Sequence, residues 1–205
     1  MDVNRFRELP VIGILRGIEP DVVEPLIESV ILSGLLTIEI TMNTEGAPEL
    51  IRKAKKAAKG RLTIGAGTVL NMDDLHSALD AGATFIVMPT LIEDAVRYCT
   101  KNKIPVFPGA LSPQEIYNAW SAGATMVKVF PAKFFGPAYL KEIKGPFQDI
   151  ELLACGGVNP ENIVSFFDSG ASAVAFGASI FKKEWLVAGG FESIKGSIEK
   201  LLANI

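Results

Sequence analysis

Lys128 stands inside an apolar run, Thr125-Met126-Val127-Lys128-Val129-Phe130-Pro131. An amine surrounded by Met126, Val127, Val129 and Phe130 is partly desolvated, which favours its neutral form, and a neutral amine attacks ketones. The iminium produced is an electron sink, so the residue type in this setting points to carbon–carbon bond chemistry through a Schiff base. A second charge out of place is Glu39, in Leu36-Thr37-Ile38-Glu39-Ile40-Thr41-Met42-Asn43. A semi-buried carboxylate suits proton transfer between water, a carbinolamine and a substrate hydroxyl. The competing reading is a buried ion pair that only fixes the fold, although such pairs contribute little to stability.

Both charges need elements to position them. Short apolar, β-branched runs alternate with longer amphipathic stretches along the whole chain, at Val11–Leu15, Leu36–Thr41, Leu62–Ala66, Thr84–Met88, Ile104–Phe107, Thr125–Phe130, Ile150–Ala154 and Ala173–Phe176. Helix starts fall between them, with Ser112-Pro113 and Asn159-Pro160 each pairing an N-cap residue with proline at the first helical position. Glycines at Ser33-Gly34, Ala81-Gly82, Ala122-Gly123 and Ser169-Gly170 stop helices before the next strand. Eight βα units of near-even spacing predict an α/β fold of the (β/α)8 TIM-barrel type, a single domain over residues 1–205, in preference to an open doubly wound sheet.

In such a barrel strand parity decides what faces the axis. Thr37, Glu39, Thr41 and Asn43 share one face of the second strand, and Leu36, Ile38, Ile40 and Met42 pack outward against helices. Met126, Lys128 and Phe130 point inward in the sixth strand, so the lysine and the glutamate are expected to meet inside. An edge-protecting lysine has no place in a closed barrel. Gly156-Gly157 ends the seventh strand and Gly177-Ala178-Ser179 the eighth, where barrel loops commonly hold a phosphate through backbone N–H groups. The plainer alternative is that these glycines only serve tight turns. Arg16 closes the first strand, either to bind a substrate carboxylate or to pair with Glu19. Cys155 abuts the first glycine pair with no base to make it a nucleophile, so it reads as lining; Cys99 reads as packing and His76 as a solvated helix residue.

Composition narrows the class. Of 205 residues 49% are hydrophobic and 21% charged, enough apolar material for a large core. The net charge of -3 and scattered lysines argue against a nucleic-acid partner. Two cysteines make no disulfide framework and have no partners at metal-ligand spacing, which reads against a metal site; no cofactor is expected either. The N-terminus lacks a signal-peptide core and no apolar run reaches the about 18 residues of a membrane helix, giving a cytoplasmic expectation with no membrane partner.

These residues resemble the KDPG/KHG aldolases, meaning 2-keto-3-deoxy-6-phosphogluconate and 4-hydroxy-2-oxoglutarate aldolases with their phosphogalactonate branch. The likeness runs from about Val11 to Phe181 and is carried by Ile14-Leu15-Arg16-Gly17-Ile18, Ile38-Glu39-Ile40-Thr41, Gly65-Ala66-Gly67-Thr68-Val69-Leu70, Val127-Lys128-Val129-Phe130-Pro131-Ala132 and Gly156-Gly157-Val158-Asn159-Pro160. It implies a metal-free homotrimer that cleaves a phosphorylated keto-deoxy sugar acid to pyruvate and glyceraldehyde 3-phosphate, with 4-hydroxy-2-oxoglutarate as a further substrate. It also implies that Lys128 forms the imine and Glu39 moves protons. Thr68, Pro89 and Phe130 then line the pyruvate pocket, and Gly156, Gly157, Gly177, Ala178 and Ser179 hold the phosphate. Where many gluconate-type members have an arginine four residues after the glutamate, this chain has Asn43, and Arg16 is the cation to replace it. Asn43, Phe135-Gly136-Pro137 and Pro160-Glu161-Asn162 resemble the galactonate branch, Thr41 the gluconate branch, and Cys155 stands where gluconate-type members usually carry threonine. Outside the family, the alternatives are another phosphate-binding barrel, such as a sugar-phosphate epimerase or a thiamin-phosphate-synthase-like transferase, and a phospho-ligand-binding protein without chemistry.

Overall fold

Runs covered on both faces form parallel strands, and every ladder in the computed structural model of residues 1–205 is parallel. Nine hydrogen-bonded segments follow one another, and the two outermost, Val106–Phe107 and Gly109–Ala110, are halves of one strand interrupted at Pro108. The first half pairs with Ile86–Val87 and the second with Val127–Val129, so the interrupted strand joins the two ends of the sheet. Pro108 has no N–H to give, yet its carbonyl accepts from Lys128 N at 2.9 Å. Gly109 is required at the break because a Cβ there would come 2.2 Å from the Pro89 carbonyl oxygen. The barrel is thereby nearly closed with eight strand positions, the expected architecture, although the fifth strand runs past Phe107 to Ala110.

The barrel interior is filled by Ile12, Phe85, Val87, Phe107, Met126, Leu153, Cys155, Ala173 and Ala175. Outward faces pack with the helices into a separate cluster of 52 buried residues. Parity therefore sorts the side chains as the sequence pattern requires, with Val127 and Val129 in the outer cluster and Met126 in the inner one. The third strand runs Thr63–Gly67, one residue past the expected Ala66, so Gly65 and Gly67 both lie within it. A Cβ on Gly65 would sit 2.5 Å from the Phe85 ring, so the missing side chain makes room for an aromatic that fills the axis.

Two helices go beyond the sequence reading. Val3–Glu8, capped by the Asp2 carboxylate, carries Phe6 onto the Phe107 ring at 6.0 Å and plugs the amino end of the barrel. After a five-residue helix at Lys183–Val187, Gly189 takes a φ of +69° and the chain turns into Phe191–Leu202, which receives the Ser29 hydroxyl at the Phe191 carbonyl. Ser112 makes the expected cap, reinforced by Glu115 in a capping box. Asn159 does not cap a helix directly. Its carboxamide accepts from Glu161 and Asn162 N–H in a turn, and the helix begins at Ile163.

Candidate active site

Glu39 and Lys128 come from the second and sixth strands and face each other across the axis. Glu39 is 1% exposed and Lys128 5%. They do not form the direct ion pair that a purely structural role requires, and Glu39 Oε2 has no hydrogen-bond partner. Burial raises the Glu39 carboxyl above its ordinary 4.5, against a smaller lowering by the charges of Lys128 and Arg16. Space for the carboxylate comes from Gly67, where a Cβ would approach Glu39 Oε1 to 2.2 Å. That glycine supplies volume, a role its sequence position next to Thr68 did not suggest.

Lys128 opens onto a cleft of about 730 Å³ at the carboxyl ends of the strands. Its Nζ lies 5.1 Å from the Phe130 ring centroid. Arg16, Phe130, Cys155, Gly156, Gly157, Gly177, Ala178 and Ser179 line the same cleft, so most of the residues singled out from the sequence meet around the lysine. Cys155 is 2% exposed, and burial pushes its thiol up, more than Lys128 beside it lowers it, which fits lining and not nucleophilic attack. Cys99, pushed up to about 12 by burial, is inert packing.

Arg16 is not paired with Glu19; it donates from Nη2 to the Thr68 hydroxyl at 3.2 Å. Thr68 itself holds a φ of +54°, unusual for a β-branched residue and costing about 1–3 kcal/mol, a strain of the kind found at binding sites. Thr41 is fully buried, and its hydroxyl shares a 3.0 Å hydrogen bond with Thr44, which accepts from Gly17 N–H. The two threonines thus fix the loop that carries Arg16. Thr44 escaped the sequence reading because a lone threonine after a strand carries no distinctive signal. Asn43 is exposed and Pro89 half-buried, and neither lines the cleft with Lys128.

The late-strand loops present bare donors. Gly156 and Gly157 take φ of +97° and +83°, and the N–H groups of Gly156, Gly157, Gly177, Ala178 and Ser179 donate to no protein acceptor. The Ser179 hydroxyl donates to the Val158 carbonyl at 2.8 Å and ties the two loops together. Five unspent N–H groups therefore face one concavity, an arrangement suited to an anion. Ile14 and Pro131, quoted only as motif residues, also line the cleft, as do Lys133 and Phe134, which carried no signal; the 3-10 turn Ala132–Phe134 that presents Lys133 has no periodic signature. No three histidine, cysteine or carboxylate side chains converge as a metal-ligand set.

Comparison with known proteins agrees with this arrangement. The family model described as KDPG and KHG aldolase matches residues 3–196. The 2-dehydro-3-deoxy-6-phosphogalactonate aldolase of Escherichia coli K12 is 34% identical over 176 residues, 85% of this chain and 86% of that one. The 2-dehydro-3-deoxy-phosphogluconate aldolase of Pseudomonas aeruginosa is 37% identical over 161 residues, 78% of this chain and 71% of that one. Among solved structures, the KDPG aldolase of Legionella pneumophila, with pyruvate captured as a covalent carbinolamine, superposes with a TM-score of 0.87 at 26% identity, covering 94% and 93% of the two chains. A cleft built around a buried lysine and likeness to these enzymes over most of its length lead to one assignment: the chain belongs to the KDPG and KHG aldolase family and is a class I aldolase, a carbon–carbon lyase.

Proposed function

We propose that Lys128 and Glu39 carry out a Schiff-base cleavage of a 2-keto-3-deoxy-6-phospho sugar acid, gluconate or galactonate, to pyruvate and glyceraldehyde 3-phosphate. The carrying observation is Glu39 Oε2, a buried carboxylate oxygen with no partner, across the axis from a lysine that opens on a cleft with an anion cradle. Burying a carboxylate unpartnered is costly, and a site keeps such a group where a substrate or water completes it. Lys128 Nζ attacks the C2 ketone, and loss of water from the carbinolamine leaves an iminium. Glu39 takes the C4 hydroxyl proton as the C3–C4 bond breaks, the bonding pair moving into the enamine and the aldehyde departing. Protonation at C3 and hydrolysis then return pyruvate and the amine. Burial raises this carboxyl above its ordinary range, which strengthens it as a proton acceptor.

The carboxylate of the substrate is assigned to Arg16, held beside the Glu39 side of the mouth by Thr68. Arg16→Ala is expected to raise KM by removing a charge-assisted contact, about tenfold after allowance for solvent screening. A wild-type KM would assign the carboxylate to another donor. Thr41, Thr68, Pro89 and Phe130 are read as pocket residues on family resemblance; of these Phe130 lines the cleft with Lys128, and Asn43, exposed and outside the cleft, is assigned no contact. A single barrel domain, a homotrimer and a cytoplasmic setting accompany the reading, supported by the same resemblance; no helix is long and apolar enough to cross a membrane. A monomer in sedimentation would remove the trimer. Side-by-side turnover of the two phosphorylated epimers and 4-hydroxy-2-oxoglutarate tests the substrate class: pyruvate from at least one epimer supports it, and pyruvate from neither sinks it.

A further inference from the structure

One cation in the cleft has no task in that chemistry. Lys133 stands on the turn Ala132–Phe134 that follows the Lys128 strand. It lines the cleft together with both glycine loops and makes no ion pair. Its stem is seated on the first of those loops, so closely that a Cβ on Gly157 would come within 2.6 Å of the Lys133 Cβ. Its ammonium rests over the Phe134 ring, 5.1 Å from the centroid, and so is free of any carboxylate that a ligand would have to displace.

Charge is distributed unevenly around this cavity. None of its 13 lining residues is acidic, while Arg16, Lys128 and Lys133 are cationic, in a chain whose net charge is -3. Arg16 is tied to Thr68 after the third strand, whereas Lys133 is packed on the loop after the seventh. The two therefore mark separate parts of the mouth, one near Glu39 and one at the bare N–H groups. Neutral N–H donors can orient a phosphoryl group but leave its charge uncompensated, and an exposed ammonium compensates it with little desolvation cost of its own.

We propose that Lys133 is a specificity-determining residue that closes on the phosphoryl dianion held by the Gly156-Gly157 and Gly177-Ala178-Ser179 loops, and so sets the preference for phosphorylated over unphosphorylated keto-deoxy acids. The proposal rests on the aldolase reading of the cleft, and inorganic phosphate tests it independently of turnover. Calorimetric binding of phosphate to the full chain is expected to weaken about tenfold in Lys133→Gln and to recover in Lys133→Arg. The ratio of kcat/KM for the phosphorylated acid to that for 4-hydroxy-2-oxoglutarate should fall by a similar factor in Lys133→Gln. Phosphate affinity equal in wild type and Lys133→Gln would overturn the proposal, as would loss that Lys133→Arg does not restore. Failure of the wild type to form a borohydride-trapped pyruvate adduct, with phosphate binding still dependent on Lys133, would instead strike the aldolase chemistry alone.

Discussion

Lys128→Ala is expected to lower kcat by at least about 10^4-fold and to abolish covalent capture of pyruvate, because Lys128 is the one buried lysine of the protein. Lys128 is 5% exposed and opens on the cleft beside Phe130 and Cys155, so a water that replaced it could not form an iminium. Phosphate binding should survive, since the five unspent N–H groups lie on loops that do not depend on the lysine. Lys128→Arg separates nucleophile from charge. It keeps a cation opposite Glu39 but cannot form the imine, so it should be as inactive as Lys128→Ala. Turnover near wild type in either variant would mean that the chemistry uses another group.

Glu39→Gln has the second-largest expected effect, a fall in kcat of about 10^2 to 10^4-fold with pyruvate capture retained. Capture needs the amine and a ketone; turnover additionally needs a proton taken from the substrate hydroxyl. The same substitution should stabilise the fold above the ordinary carboxyl range. Burial raises the folded-state pKa of Glu39 above 4.5, so the folded chain holds a proton that the unfolded chain has already released. The favourable contribution is complete below that range and is lost as pH rises through the folded value. Glutamine escapes the loss. Tm of Glu39→Gln should therefore exceed that of wild type at neutral pH, by about 2–4 °C for each kcal/mol relieved, and the difference should vanish as pH falls through 4.5. A Tm difference independent of pH would show that Glu39 is not an uncompensated buried acid.

Alternation of β-branched runs with glycine-stopped helices made the barrel legible, and strand parity alone placed Glu39 and Lys128 inside it. Parity works because each pleat has only two faces and both are covered. The joint in the fifth strand was less accessible, since Pro108 normally ends a strand and only the approach of the Pro89 backbone to Gly109 shows why this one resumes. Gly67 provides the space that the Glu39 carboxylate occupies, a fact about a neighbour 28 positions away in sequence that no local pattern carries. Nothing in the sequence pattern marks Lys133, which the turn folds over Gly157. Asn43 drew attention by its place after the glutamate, but the chain turns there and leaves it in solvent.

The proposed chemistry requires that one particular amine, Lys128 Nζ, form the covalent intermediate. Reduction with borohydride in the presence of pyruvate, followed by digestion and mass spectrometry of the wild-type chain, reads this directly. One reduced pyruvate unit is expected on the peptide carrying Lys128, and none on Lys133 or any surface lysine. An unmodified Lys128, or an adduct on another residue, would contradict it.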